Sequence, residues 1–197
     1  MLAFVCETYS ASPSSVSHAD SDKFYNSLMA VLEETIDGTY ANLDFTRIYG
    51  SGQSAGSMAT QGFVRTNPEF YAAAASTSGL AVPDGTSQLP EGAGGAMPDF
   101  VITGQSDLDN LMPDLWGSEM ANEWITYLFD VNNMPDAQIG TADDEHEFIN
   151  DRTKVYTWEN SDGVPMVKYG YTLLRAHNCS PYEMPILWDF MEHFSFE

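Results

Sequence analysis

Ser54, Asp107 and His177 are the residues of this chain whose types and order could do chemistry. A serine hydroxyl is a weak nucleophile until a base takes its proton and a third group orients that base. Imidazole and carboxylate suit those two tasks, and the chemistry the set supports is attack of the serine oxygen on a carbonyl carbon. Ser54 lies in Gly52-Gln53-Ser54-Ala55-Gly56, Asp107 closes Gly104-Gln105-Ser106-Asp107, and His177 lies in Arg175-Ala176-His177-Asn178-Cys179. The intervals are roughly 50 and 70 residues, room for separate elements between them. Each has rivals. Asp109 competes with Asp107, which is nearer the end of an apolar segment. His18 precedes the serine, His146 lies in an acidic run, and His193 falls in the last turn of a helix, where a cation is favoured for local reasons.

The elements that would position these groups can be read around them. Residues 45–49 are an apolar strand leading into the glycine-flanked turn, and a helix with Met58, Ala59, Gly62 and Phe63 on one side follows at once. Strand, tight turn, helix is the order a nucleophile elbow needs, with Gly52 and Gly56 small enough for strand and helix to approach. That helix should stop near Asn67-Pro68, because the residue before proline is pushed out of the helical region. Phe100-Val101-Ile102, within a strand over 98–103, leads to Asp107. Strands over 155–158 and 164–174, joined by the turn Asn160-Ser161-Asp162-Gly163, lead to His177.

Other segments complete the pattern. Residues 2–6 read as a buried strand and 10–21 as a serine-rich loop. Asp20 and Asp22 open a helix with Phe24, Leu28, Val31, Leu32 and Ile36 on one face, which Gly38 can end. A small, alanine-rich strand is expected over 70–76, and a helix over 117–132 with Met120, Trp124, Tyr127 and Leu128 inward. Ser180, Pro181 and Glu183 form a capping box for a last helix burying Met184, Leu187, Trp188, Met191 and Phe194. Alternating strands and helices imply one α/β domain over residues 1–197 with a mostly parallel sheet.

Composition narrows the function classes. Among 197 residues, 29 Asp plus Glu face 7 Lys plus Arg, a formal net charge of −22. Nucleic acid and anionic membrane surfaces are therefore poor partners, since both need cationic contacts. Gly92-Ala93-Gly94-Gly95 has no neighbouring lysine or arginine and reads as a surface loop rather than a phosphate cradle. The acidic Asp143-Asp144-Glu145-His146-Glu147 lacks the glycine and alternating ligands of a calcium loop and reads as a solvated segment. Neither Cys6 nor Cys179 belongs to a zinc-type pair, and their spacing does not show whether they join. The opening residues have no basic residue and too short an apolar run for a secretory signal.

Ile48-Tyr49-Gly50-Ser51-Gly52-Gln53-Ser54-Ala55-Gly56, Gly104-Gln105-Ser106-Asp107, and Ala176-His177 followed by Pro181 and Trp188-Asp189-Phe190 together resemble the polyhydroxybutyrate depolymerase and feruloyl esterase group of α/β-hydrolases. The resemblance runs from about residue 20 onward. It implies an α/β-hydrolase fold and a secreted serine esterase that needs no metal or organic cofactor. Ser54 would attack an ester carbonyl, His177 serve as base and then acid, and Asp107 orient His177. The N–H of Ala55 would be an oxyanion donor, and Gln53 is expected to contact a small-molecule or polymeric ester. One departure stands out. In that group the nucleophile follows the fifth strand, whereas here only residues 2–6 offer an earlier one, so the first strands and the loop bearing the second oxyanion donor are expected to be missing. On this view the chain is the carboxyl-terminal portion of a longer esterase. Rival readings are a serine peptidase of related fold and a catalytically weak or inactive domain.

Overall fold

The computed structural model describes residues 44–66, 68–81, 95–107, 119–139 and 148–196, with Ser27 and Ala30 as separate exposed helical positions. The expected strand over 2–6, the loop over 10–21 and, apart from those two positions, the first helix lie outside the described residues, as do Cys6, His18, the glycine run over 92–94, Asp109 and the acidic run over 143–147.

Six strands form one sheet: β1 (Tyr49–Gly50), β2 (Ala73–Thr77), β3 (Asp99–Gly104), β4 (Phe148–Ile149), β5 (Thr153–Glu159) and β6 (Pro165–Thr172). Their order is β1-β2-β3-β6-β5-β4. Strands β1, β2, β3 and β6 run parallel, while β5 is antiparallel to both β6 and β4. Helices α1 (Ala55–Thr66), α2 (Glu119–Val131) and α3 (Glu183–Met191) flank it. The expected strand over 45–49 is shorter than its apolar pattern, because Asp44 takes the N–H and hydroxyl of Thr46 and turns the chain there.

Side chains alternate across the sheet, as strand geometry requires. Ala74, Val101, Val167 and Tyr169 join the core under α1 and α2, with Val64, Trp124, Ile125 and Leu128. Ala73, Ala75, Phe100, Ile102 and Val155 face the opposite way, toward Leu187, Phe190 and Met191 of α3. Every residue of β2 and β3 is buried, so the strand that carries Asp107 beyond its end is covered on both faces. The turn over Asn160-Ser161-Asp162-Gly163 forms as expected. Asn160 Oδ1 takes the N–H groups of Asp162 and Val164 at 3.0 Å, and Gly163 supplies a φ of 76°.

The helices differ from their apolar patterns in which face they bury. In α2 the buried set is Ala121, Trp124, Ile125, Leu128 and Phe129, with Met120 and Tyr127 only partly covered. In α3 Met184 and Trp188 are exposed, and Glu183 and Phe190 are buried instead. Polar anchoring of Glu183 turns that helix away from the face its apolar residues alone would choose.

Candidate active site

Glycine and serine build the turn before α1. A Cβ on Gly52 would overlap the Gly56 carbonyl and come within 2.8 Å of Ser57 N, so only glycine lets strand and helix meet there. At Gly56 a Cβ would meet nothing within 4 Å. The expectation that both glycines serve close approach thus holds for Gly52 alone, because at this crossing it is the Gly56 backbone that Gly52 must clear. Ser54 has φ 58°, a left-handed conformation that costs a non-glycine residue strain and occurs at functional turns. Main-chain bonds hold it there. Ser54 N–H donates to Thr77 O at 3.0 Å, and Thr77 N–H to Gly52 O at 2.9 Å, so the elbow is stitched to the end of β2.

Three hydrogen-bonding groups meet at the carboxyl ends of the strands. His177 Nε2 lies 2.7 Å from Ser54 Oγ, and His177 Nδ1 lies 2.6 Å from Asp107 Oδ1. The side chain of Asp107 is fully buried and that of His177 is 31% exposed, so the imidazole is the member open to solvent. Asp107 Oδ2 also accepts the Gly104 N–H at 3.4 Å, which turns the carboxylate back toward the end of β3. With Nδ1–H donating to Asp107, Nε2 is the lone-pair nitrogen that can accept the serine proton.

First-turn donors of α1 are accounted for in sequence. Gly56 N–H goes to Gln53 O, and the N–H groups of Ser57 and Met58 go to Ser54 O. The N–H of Ala55, which opens the helix, is left without a hydrogen bond among the described residues. A helix N-terminus favours negative charge at that point. Gln53 is exposed at the turn, beside the serine. Of the other histidines only His193 is described; its Nδ1 donates to the Asp189 carbonyl within its own helix end, away from the Ser54 pairing. Cys179 is an exposed free thiol two residues after His177. Among the described residues no group of three His, Cys, Asp or Glu side chains could hold a metal ion, and no helix is long and apolar enough to cross a membrane.

Two buried polar networks around the site are absent from the sequence reading. In the first, Gln61 is wholly buried yet fully partnered. Its amide donates to Ser57 Oγ and Gly79 O, and its carbonyl accepts Ala81 N–H and Trp124 Nε1–H. This fastens α1 and α2 to the chain leaving β2, and explains why α1 turns Ser57 and Gln61 inward as well as Phe63. In the second, Arg175 is 5% exposed. Its guanidinium donates to Ser78 Oγ at 2.7 Å and Ile102 O at 2.9 Å, and its Nε lies 2.7 Å from Glu183 Oε1. Burial lowers the pKa of Arg175, while the nearby carboxylates Glu183 and Asp107 act in the opposite sense. Glu183 therefore does more than cap a helix. Its Oε2 accepts the Ser180 N–H, half of the expected capping box, but Ser180 meets the Glu183 N–H with its carbonyl rather than its hydroxyl. The sequence signal for both networks is slight: a lone glutamine in an amphipathic helix and one of very few basic residues.

No protein-family model matches the chain, and no curated protein matches it. Twelve solved chains do. Among them, acetyl xylan esterase from Aspergillus awamori superposes with a TM-score of 0.58 at 15% identity, over 92% of this chain and 71% of that one. Arabidopsis thaliana SOBER1 superposes with a TM-score of 0.51 at 14% identity, over 91% of this chain and 66% of that one, and a single-substitution variant of SOBER1 does so over 91% and 67%. Likeness at these identities bears on the fold alone. The sheet order, its flanking helices and these neighbours make this an α/β-hydrolase fold, spanning about two thirds of the length of the SOBER1 chains.

Proposed function

We propose that this chain is a serine hydrolase that cleaves carboxylic esters through an acyl-enzyme. The observation that carries this reading is the continuous hydrogen-bonded line from Ser54 Oγ through both nitrogens of His177 to Asp107. As an ester carbonyl meets Ser54, His177 Nε2 takes the hydroxyl proton while Oγ bonds to the carbonyl carbon. Asp107 keeps the Nδ1–H facing it and stabilises the imidazolium. The carbonyl oxygen, now negative, is received by the Ala55 N–H at the start of α1. His177 then returns its proton to the departing alcohol, the carbon–oxygen bond breaks, and the acyl group stays on Ser54. Water repeats the sequence and releases the acid.

An ester rather than another acyl substrate is supported by the name of one structural neighbour, an acetyl xylan esterase, and by the resemblance of the three segments to depolymerases and feruloyl esterases. That same resemblance supports a secreted protein acting on a small-molecule or polymeric ester, with Gln53 contacting substrate beside Ser54. The net charge of −22 favours an uncharged substrate over nucleic acid or a membrane surface.

A serine-directed phosphonate tests the reading, together with matched ester and amide substrates. We expect one adduct at Ser54, absent in Ser54→Ala, and hydrolysis of the ester in preference to the amide. A folded chain that takes no label would make this an inactive domain, and preference for the amide would make it a peptidase.

A further inference from the structure

We infer that the buried Arg175–Glu183 pair, together with Ser78, is a positioning device that sets His177 between Ser54 and Asp107. The inference rests on the reading of those three residues as the reacting groups.

His177 lies in the segment between β6 and α3, which has no ladder bonds of its own. Beyond its own bonds to Ser54 and Asp107, its position depends on contacts made by its neighbours, and several of those converge on one cluster. Two residues before His177, Arg175 donates to Ser78 Oγ and to Ile102 O of β3. One residue after, Asn178 O accepts the Ser78 hydroxyl at 3.3 Å. Three residues after, Ser180 N–H is held by Glu183 Oε2, and Glu183 Oε1 faces Arg175 Nε while accepting the Thr172 hydroxyl at the end of β6. The histidine segment is therefore gripped on both sides by side chains that share one buried ion pair.

The acid belongs to the same cluster. Ser106 N–H donates to Arg175 O at 2.8 Å, and a Cβ on Gly104 would overlap that carbonyl, so Asp107 and His177 are registered through the Arg175 main chain. Ser78 has φ 56° and is buried, immediately after the strand to which the Ser54 elbow is stitched. The guanidinium thus touches the residue that follows the strand holding the serine elbow and the strand that leads to the acid. Its rigid fork lets the two terminal nitrogens donate to two acceptors while the Nε edge faces Glu183 Oε1 as an ion pair, an arrangement that a lysine ammonium on a flexible stem does not reproduce. A buried ion pair is weak evidence of stabilisation, since an apolar pair of similar volume often serves as well, so geometry is the better account of its presence.

Hydrolysis of p-nitrophenyl acetate by the purified chain, with kcat and KM separated and thermal melting measured alongside, tests this. Ser78→Gly tolerates the positive φ and removes the side chain that carries the hydroxyl. We expect kcat to fall about tenfold or more with KM nearly unchanged, because small misplacements of a reacting group cost that much. Arg175→Met/Glu183→Gln removes both charges together. It should melt near the wild type yet lose roughly a hundredfold in kcat. Arg175→Lys should recover only part of the loss. Wild-type kcat in a folded Ser78→Gly variant overturns the inference, and so does a loss that disappears when the assay is cooled well below melting. If the paired variant does not fold, Ser78→Gly decides alone. Ser54→Ala in the same assay separates the two ideas: an active Ser54→Ala chain defeats the hydrolase reading itself, whereas an inactive one beside wild-type-like Ser78→Gly defeats only the positioning role.

Discussion

At the serine corner, Gly52 passes so close to the Gly56 carbonyl that no Cβ fits, and Ser54 is held at φ 58° by main-chain bonds to Thr77. At the histidine corner, main-chain bonds such as Ser106 N–H to Arg175 O are joined by side-chain bonds from Ser78, Thr172, Arg175 and Glu183. The first corner is made by what is absent from its residues, the second by what is present on them. Steric construction is local and shows in a short motif. Polar construction joins residues up to about a hundred positions apart and leaves no motif behind. On the hydrolase reading, turnover requires the two corners to arrive together.

The largest effects should come from cutting the line between the corners. Ser54→Ala is expected to lower kcat by about 10⁶-fold with no change in melting temperature, since removing the nucleophile of such a set costs about as much as removing the whole set. Asp107→Asn should cost about 10⁴-fold, because the amide holds His177 in the wrong tautomer. Turnover that survives Asp107→Asn and is lost in Asp109→Asn would move the acid two residues on. The serine corner itself is broken by Gly52→Ala. Overlap of the new Cβ with the Gly56 carbonyl should destabilise the chain by about 1–3 kcal/mol, read by denaturant unfolding, and abolish phosphonate labelling of Ser54.

Much of this site is legible in the sequence, and the reasons lie in particular residues. Ser54 declares itself through Gly52 and the strand-to-helix switch, and Asp107 and His177 through their places just past apolar strands. A mostly parallel sheet follows from strands alternating with helices, though the sequence pattern offers no helix between the strands that become β2 and β3. Gln61 and Arg175 do not declare themselves, because a buried polar residue looks like a surface one until its partners are known, and Gln61's nearest partner outside its own helix is Gly79. Glu183 reads as a cap, which it half is; its bonds to Arg175 and Thr172 need the fold. Apolarity alone places Met184 and Trp188 inward, and the anchoring of Glu183 turns them out.

A buried carboxyl at the far end of β3 sharpens the contrast from another side. Asp99 is fully buried and neither of its side-chain oxygens has a hydrogen-bond partner among the described residues, whereas Glu183, equally buried, has two hydrogen bonds and an ion pair. Burial raises the pKa of Asp99 well above its ordinary 3.8, opposed in part by the neighbouring Phe100 N–H, which lies outside hydrogen-bond geometry. Because the folded value lies above the unfolded one, the folded chain binds this proton more tightly. Its contribution is fully present below the unfolded value and is lost as pH rises through the folded one. Asp99→Asn cannot titrate. Its melting temperature relative to the wild type should therefore climb as pH rises above the ordinary 3.8, a comparison in which the acidity common to both chains cancels. A constant difference above that value would mean that Asp99 is solvated or paired in solution.

The smallest effect is the most exacting for the steric account of the elbow. Both glycines flank Ser54 in the motif, and on sequence alone they are interchangeable. In the structure Gly56 is the second residue of α1 and has open space where a Cβ would stand. Alanine there should gain helix propensity and lose unfolded-state freedom, a stabilisation of up to about 1 kcal/mol, with Ser54 still labelled by a phosphonate. If Gly56→Ala instead destabilises the chain as Gly52→Ala does, the elbow needs both glycines for packing, and the one-sided contact between Gly52 and the Gly56 carbonyl is not what fixes the turn.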